Sequence, residues 1–321
     1  MSGLSGMSEV SNQFDVICMG MALVDSIIKG FDPEPISASG YRAQSGTLSV
    51  GGEAVNEAVS CSRLGLKTGI ACSFGDDAAG GLILNLLRNE NVDTSFTLID
   101  PSMQTPVSTL IVKEDGTRKS ITNFAHRDVG FPMIKLPMFT GAKAWILGSL
   151  FRAPFDDAEC ILNVVSAGSS VGVKIFADTK LPNFKKLSLA DLKESLPLID
   201  FITPNEDEAK YLTGKKTPSE MADVFLSYGV KNVVIKLGAK GCFYKNSEKT
   251  IELPACPVEA VDATGAGDAF AAGLVTAILQ GSDIEKALRF ANACGAVCCT
   301  KVGATSALRD LSQVRELVSR Y

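Results

Sequence analysis

Val261-Asp262-Ala263-Thr264-Gly265-Ala266-Gly267-Asp268-Ala269-Phe270 is the stretch on which the rest of this chain turns. It follows a proline-broken segment, Leu253–Val258, and leads into a run of helix formers, Asp268–Gln280. Its glycines leave backbone N–H groups bare where the helix should begin. A helix start already carries unpaired donors and partial positive charge, so it favours an anion such as phosphate. A carboxylate among those donors is a poor phosphate ligand, because like charges repel. Asp268 therefore reads as a proton acceptor for an incoming hydroxyl, and donors beside a base are what phosphoryl transfer needs. Asp near a helix start is also a common cap, and Gly-x-Gly a common turn. Two rival motifs fail: no Gly-x-x-x-x-Gly-Lys-Ser/Thr occurs, and the third glycine position of a dinucleotide fingerprint holds Phe270.

Composition narrows the class. A chain of 321 residues holds one large α/β domain with an appendage, or two modest domains. Apolar content of 46% and charged content of 21% mark a globular protein. The net charge of −5 argues against a nucleic-acid partner, and no apolar run reaches membrane-spanning length. Nine cysteines without a Cys-x-x-Cys suggest neither a disulfide framework nor a zinc site, and Cys294, Cys298 and Cys299 read as small core residues of one helix. Residues 1–13 are polar and Gly/Ser-rich without the basic start of a signal peptide, so they are expected to be a disordered extension, with Met7 an alternative start and the cytoplasm the default location. The lone histidine, His126, reads as solvated, and no triad is available to it.

Outward from the opening stretch the chain alternates strand and helix. Val16–Gly20 predicts a first strand, continued by Leu23–Ile28 with Asp25 embedded in it. Gly51-Gly52-Glu53-Ala54-Val55-Asn56 opens a helix to about Leu64, and its glycines again permit close approach of a ligand to a helix start. Thr68–Phe74 reads as a strand and Asp77–Glu90 as a helix. Val107–Lys113 and Arg118–Asn123 flank Asp115-Gly116, a hairpin signal. Strands are then expected at Ala144–Leu150, Val173–Asp178, Phe201–Thr203 and Val233–Leu237, with helices at Phe155–Ala167, Ser188–Leu196, Asn205–Thr213 and Ser219–Tyr228. A hairpin near the sheet edge, Gly241–Tyr244 with Thr250–Leu253, precedes helices at Asp268–Gln280, Ile284–Thr300 and Leu308–Arg320. This rhythm implies a mostly parallel central sheet with helices on both faces, whose ligands gather at the carboxyl ends of the strands: Ser149, Asp178, Lys180, Asn205 and Lys236.

Asp262–Phe270 resembles the signature of the PfkB/ribokinase family of carbohydrate kinases, and Gly51-Gly52 with Asn56 resembles that family's N-terminal Gly-Gly-x-x-x-Asn motif. The resemblance spans Asp15 to Arg309. It implies a ribokinase-like α/β domain over 14–321, with a small β lid from segments about 31–50 and 105–125 that also serves as a dimer contact. It implies transfer of the ATP γ-phosphate to a sugar hydroxyl, with Asp268 as base and the amides of Gly265, Ala266 and Gly267 stabilising the phosphoryl oxygens. Asp25, Gly51, Gly52 and Asn56 then hold the sugar. Asn205 and Glu208 match the family's Asn-x-x-Glu, whose Glu acts on the magnesium hydration shell. Lys236, Gly238 and Gly241 resemble the loop along the nucleotide, and Asn292 the position contacting adenine, while Lys180 takes a charge role there. Asn292 within a small apolar helix can equally satisfy itself on nearby backbone, and Lys236 can be solvated. Asp262, Thr264 and Gly303 fall where members activated by a monovalent cation donate oxygens to potassium. The sugar stays open: Asp178-Thr179-Lys180-Leu181-Pro182 has Pro where fructokinase-like members carry Arg, and Leu23 stands where ribokinase-like members carry Asn. A nucleoside kinase of the same fold, or a catalytically silent sugar- or nucleotide-binding protein, are the alternatives.

Overall fold

The computed structural model describes residues 13–30, 40, 42–113, 118–123, 141–183 and 185–321. Residues 1–12 of the expected extension, most of 31–41, the Glu114–Thr117 turn and His126 lie outside the described residues.

The central sheet starts with β1 (Phe14–Met19), which is buried at all but one position. After Gly20, at φ 148°, the chain leaves that sheet, and β2 (Leu23–Lys29) runs in a second, smaller one. This corrects the expectation that Leu23–Ile28 continues the first strand. An apolar run reports burial but not which sheet it joins, and β2 is only half-buried along most of its length, as suits a sheet covered on one face. β3 (Ser45–Gly51) pairs antiparallel with β2, and Gly51 hands the chain to α1 (Glu53–Arg63). β4 (Thr68–Ala71) returns to the central sheet. The expected single strand Thr68–Phe74 breaks at Cys72, and β5 (Ser73–Gly75) pairs instead with β6 (Leu98–Asp100), a strand the sequence did not announce, on either side of α2 (Ala78–Asn89). β7 (Val107–Val112) lies parallel to β2, and β8 (Arg118–Thr122) pairs back on it, so the strands flanking Asp115-Gly116 do form a hairpin.

From β9 (Ala142–Leu150) the alternation is regular: α3 (Ala158–Ser170), β10 (Lys174–Thr179), β11 (Phe201–Ile202), α4 (Glu206–Thr213), α5 (Pro218–Ser227) and β12 (Asn232–Lys236). Ser188–Leu196 is not the helix expected. Two short 3-10 turns, Ala190–Leu192 and Leu196–Leu198, stand there. Asp191 Oδ2 accepts from the Ser188 N–H and hydroxyl, and Pro197 supplies no N–H, so local bonds displace the helical ladder. β13 (Cys242–Lys245) and β14 (Thr250–Leu253) form the antiparallel edge, and α6 (Ala266–Leu279), α7 (Ile284–Cys298) and α8 (Leu311–Arg320) close the chain.

The large sheet runs β14-β13-β12-β11-β10-β9-β1-β4, parallel from β12 to β4, so the expected α/β ribokinase-like layering is present. Strand alternation divides the core in two. Val16, Cys18, Ile146 and Phe176 pack with α1, α6, α7 and α8, whereas Ile17, Met19, Trp145 and Ile175 pack with α3 and α5. α1 and α6, on the first face, begin at the carboxyl ends of the parallel strands, and the site assembles there.

Candidate active site

Among the described residues, six of the eight helices begin on a side chain that accepts from their own backbone: Asp77, Asp157, Asn205, Thr217, Asp283 and Asp310. The other two, α1 and α6, begin on Gly52 and Gly265 with no side-chain cap, at φ 96° and 78°. No side chain fits at either glycine. A Cβ on Gly52 would stand 2.3 Å from the Met21 carbonyl oxygen, and one on Gly265 would stand 2.6 Å from Ala304 Cα. In α6 the Ala266 N–H turns back to the Ala263 carbonyl at 3.2 Å, which corrects the expectation that it is bare, while the Gly267 N–H and the first N–H groups of α1 keep their capacity for an external acceptor.

The two open helix starts meet. Asn56, in the first turns of α1, donates from Nδ2 to Asp268 Oδ2 of α6 at 2.7 Å, and both residues are buried. Burial raises the Asp268 pKa; the nearby Lys180 ammonium pulls it back, Glu53 and Asp178 push it up, and the Asn56 bond stabilises the ionised form. A base with elevated proton affinity and one fixed hydrogen bond is suited to accepting a hydroxyl proton.

Beside this pair lies a polar ladder from the ends of β10, β11 and β12. Asp178 Oδ1 accepts from Lys236 Nζ at 2.5 Å and from Thr203 Oγ1 at 2.7 Å. Lys236 also borders the helix start: a Cβ on Gly267 would lie 3.1 Å from its Nζ. The ammonium thus stands where a residue larger than glycine would project, next to the free amides of α6. Glu208 Oε2 accepts from Thr179 Oγ1 and from the Asn205 N–H, while Asn205 Oδ1 accepts from the Glu208 N–H, a reciprocal capping box on α4. Burial raises the Glu208 pKa, Lys236 lowers it, and Asp178 raises it again.

Lys180 follows β10 and pairs with Glu53 Oε1 at 3.5 Å. Burial disfavours its charge, but Asp268, Glu53, Asp178 and Glu208 outweigh that and raise its pKa. Asp25 sits on β2 opposite Ser49 and diagonal to Gly51, where a Cβ on Gly51 would lie 2.8 Å from its Oδ2. Burial, with the charge of Glu53 second, lifts Asp25 to about 6. Glu53 thus links Asp25 on the small sheet with Lys180 and Asp268 on the large one.

The remaining sequence candidates fall in two places. Asp262 accepts from the Thr264 N–H and hydroxyl through Oδ1 and from the Gly303 N–H through Oδ2, so these three residues are tied together just before α6. Gly238 and Gly241 bracket a short turn after β12, with Gly241 pressed against the Leu253 carbonyl of β14. Asn292 is buried in α7 and donates to the Pro254 carbonyl at 3.1 Å. Glu53 and Glu57 were not singled out by sequence reading. Their signal was there: they are the only two charged residues between Gly52 and Arg63, four apart, among Ala, Val, Ser and Cys.

Two uncapped glycine-started helices, the buried Asp268 carboxylate between them and the Lys180 and Lys236 ammonium groups beside them mark a small-molecule kinase of ribokinase-like fold. Residues 14–311 match the family described as pfkB family carbohydrate kinase, and the chain belongs to that family: it is an ATP-dependent carbohydrate kinase. A ribokinase of Haemophilus influenzae is 30% identical over 285 residues, covering 84% of this chain and 88% of the relative. Fructokinase-2 of Zea mays is 28% identical over 325 residues, covering 95% and 94%. Among solved structures, Arabidopsis thaliana ribokinase complexed with ribose and ATP superposes with a TM-score of 0.84 at 26% identity, covering 95% of this chain and 98% of that one.

Proposed function

We propose that this kinase transfers the ATP γ-phosphate to a hydroxyl of a small, uncharged sugar, with Asp268 as the base. The 2.7 Å bond from Asn56 to Asp268 carries this reading, because it joins the open starts of α1 and α6 into one mouth. The sugar hydroxyl gives its proton to the Asp268 carboxylate as its oxygen attacks the γ-phosphorus; the bond to the β-phosphate oxygen breaks and ADP leaves. The amides of Gly265 and Gly267 and the Lys236 ammonium face the charge that develops on the phosphoryl oxygens. Asp25 and Asn56 accept and donate to sugar hydroxyls.

The residues present fit a magnesium nucleotide: Gly267 leaves open a space bordered by Lys236, and the buried Glu208 carboxylate is held beside it by its cap. Magnesium, when bound, supplies neutralising charge at the phosphates, and Glu208 would hold it through water. Lys180, Asn205, Gly238, Gly241 and Asn292 are assigned to the nucleotide side of the mouth. The Asp262, Thr264 and Gly303 knot is assigned to a monovalent cation, supported by the neighbouring Thr264 and Ala304 carbonyls, which converge on Cys298 Sγ at 3.4 and 3.1 Å. The small sheet acts as a lid that keeps water from competing as acceptor, and a second copy packs on it. Leu48 and Ile121, 66% and 69% exposed, stand in one cross-strand row of that sheet and support this contact.

Relatives are named for kinases of ribose, fructose and, in Thermoanaerobacterium thermosaccharolyticum, 6-phosphofructose. The deciding experiment is a screen of these sugars, further sugars and nucleosides for ATP-dependent phosphorylation, with and without potassium. Turnover of a neutral sugar supports the reading. Turnover confined to nucleosides, or none at all, overturns it.

A further inference from the structure

α1 carries a second acid for which the phosphoryl-transfer steps have no use. Glu57 follows Asn56 directly, is 0% exposed, and neither of its carboxyl oxygens has a hydrogen-bond partner among the described residues. Oxygens of Glu57, Asp178 and Asp268 all lie within 4.8 Å of one another. Gly148 near the end of β9 makes the room, since a Cβ there would stand 2.8 Å from Glu57 Oε2.

The three acids are unequally provided for. Asp178 has the Lys236 ammonium and the Thr203 hydroxyl, and Asp268 has the Asn56 amide and the charge of Lys180. The titratable groups that act on Glu57 are acids and thiols: Asp178 on β10, Asp268 on α6, Cys18 on β1, and Glu53 and Cys61 on its own helix. Removing an unpaired carboxylate from water costs far more than removing the same group with its proton. Asp178 Oδ2, likewise buried and without a donor, offers a neutral carboxyl an acceptor.

We propose that Glu57 keeps its proton at neutral pH, a positioning residue whose O–H turns toward Asp178 Oδ2 and whose neutrality leaves Asp268 ionised to accept the substrate proton. Burial first, then Asp178 and Asp268, push the Glu57 pKa well above the usual carboxylate range. A third full charge in the trio would raise the proton affinity of Asp268 while weakening its tie to Asn56. Ionisation of Glu57 at high pH therefore disturbs the base it normally protects.

This role rests on Asp268 as base, so the test has one arm that needs no turnover. The infrared difference spectrum between wild type and Glu57→Gln at neutral pH is expected to contain the carbonyl band of a protonated carboxyl group, lost in the variant. In the kinetic arm, Glu57→Gln, which keeps shape and one donor, retains kcat within about threefold at neutral pH and loses the alkaline limb of the kcat/KM profile. Should Glu57→Gln fail to fold, Glu57→Met, of similar volume, takes its place in the infrared arm. Absence of the protonated band overturns the proposal. So does an unchanged alkaline limb, or a loss of kcat in Glu57→Gln as deep as in Asp268→Asn. A protonated band together with full activity in Asp268→Asn would sink the base and leave the Glu57 proton standing.

Discussion

α4 and α6 both start beside β10–β12 at the same end of the sheet, yet their first turns are built in opposite ways. α4 closes on itself: Asn205 and Glu208 satisfy each other's backbone N–H groups, and Thr179 adds a bond to the same carboxylate. α6 has Gly265 at φ 78° and no cap, with Ala304 packed where any side chain would go. A side-chain cap is worth about 1 kcal/mol, so α6 forgoes that stabilisation and keeps its donors available. The difference teaches where to look: a helix start that gives up its cap while its siblings keep theirs has its amides reserved for something that comes and goes. α1 makes the same sacrifice at Gly52, and it is α1 that reaches Asp268.

The sharpest attack on this contrast is Asp268→Asn. It leaves the open amides in place but removes the proposed proton acceptor, so kcat is expected to fall about 10²–10⁴-fold while sugar and nucleotide binding, read by calorimetry, persist. Activity near the wild-type level would show that the carboxylate is only a first-turn acid.

Asp25→Asn comes next. In the proposed site Asp25 accepts sugar hydroxyls when ionised, so its loss should raise KM about 10- to 100-fold with a smaller effect on kcat. Its pKa is raised to about 6, so it is ionised above that pH and protonated below it. kcat/KM of the wild type should therefore decline as pH falls through about 6, and this component should vanish in Asp25→Asn. An identical acid limb in both proteins refutes the assignment.

Gly267→Ala separates folding from chemistry inside α6. Gly267 is helical, so alanine there should stabilise by about 0.4–1 kcal/mol in chemical denaturation. The added methyl points at Lys236 Nζ, 3.1 Å away, and narrows the space assigned to the phosphoryl group. A drop of about tenfold in kcat/KM, with Tm unchanged or higher, is the expected pattern. Unchanged kinetics would move the phosphate site elsewhere.

The smallest effect on activity belongs to the other class of helix start. Asp157→Ala removes the cap of α3, on the far face of the sheet, and should cost about 1 kcal/mol of stability with kcat and KM unaltered. A kinetic effect there would mean that capped and uncapped starts are not functionally distinct.

The local chemistry of these starts was legible in the sequence. Gly-x-Gly before Asp268, Gly-Gly before Asn56 and Asn-x-x-Glu at Asn205 each determine a turn through residues within four of one another, and all three appear as read. Three things were less visible because they depend on distant partners. The apolar run of β2 could not reveal that it pairs with β7, some 80 residues later, nor could β5 reveal β6. Asn292 looks the same in sequence whether it meets a ligand or, as its amide does, the Pro254 carbonyl. Glu53 and Glu57 drew no reading, since a glutamate is rarely fully buried; only the packing of α1 against α6 and β9 turns Glu57 inward.

The division of the core by strand alternation has a consequence for how such a chain can change over time. Ala54, Ala58 and Ala272 share a cluster with the helices that carry Asn56 and Asp268, so exchange among them would shift that pair, whereas Trp145, Ile175 and Phe225 belong to the opposite cluster. α4, which carries Asn205 and Glu208, packs in that opposite cluster, so the eight-stranded sheet couples the two sides through the ends of its strands.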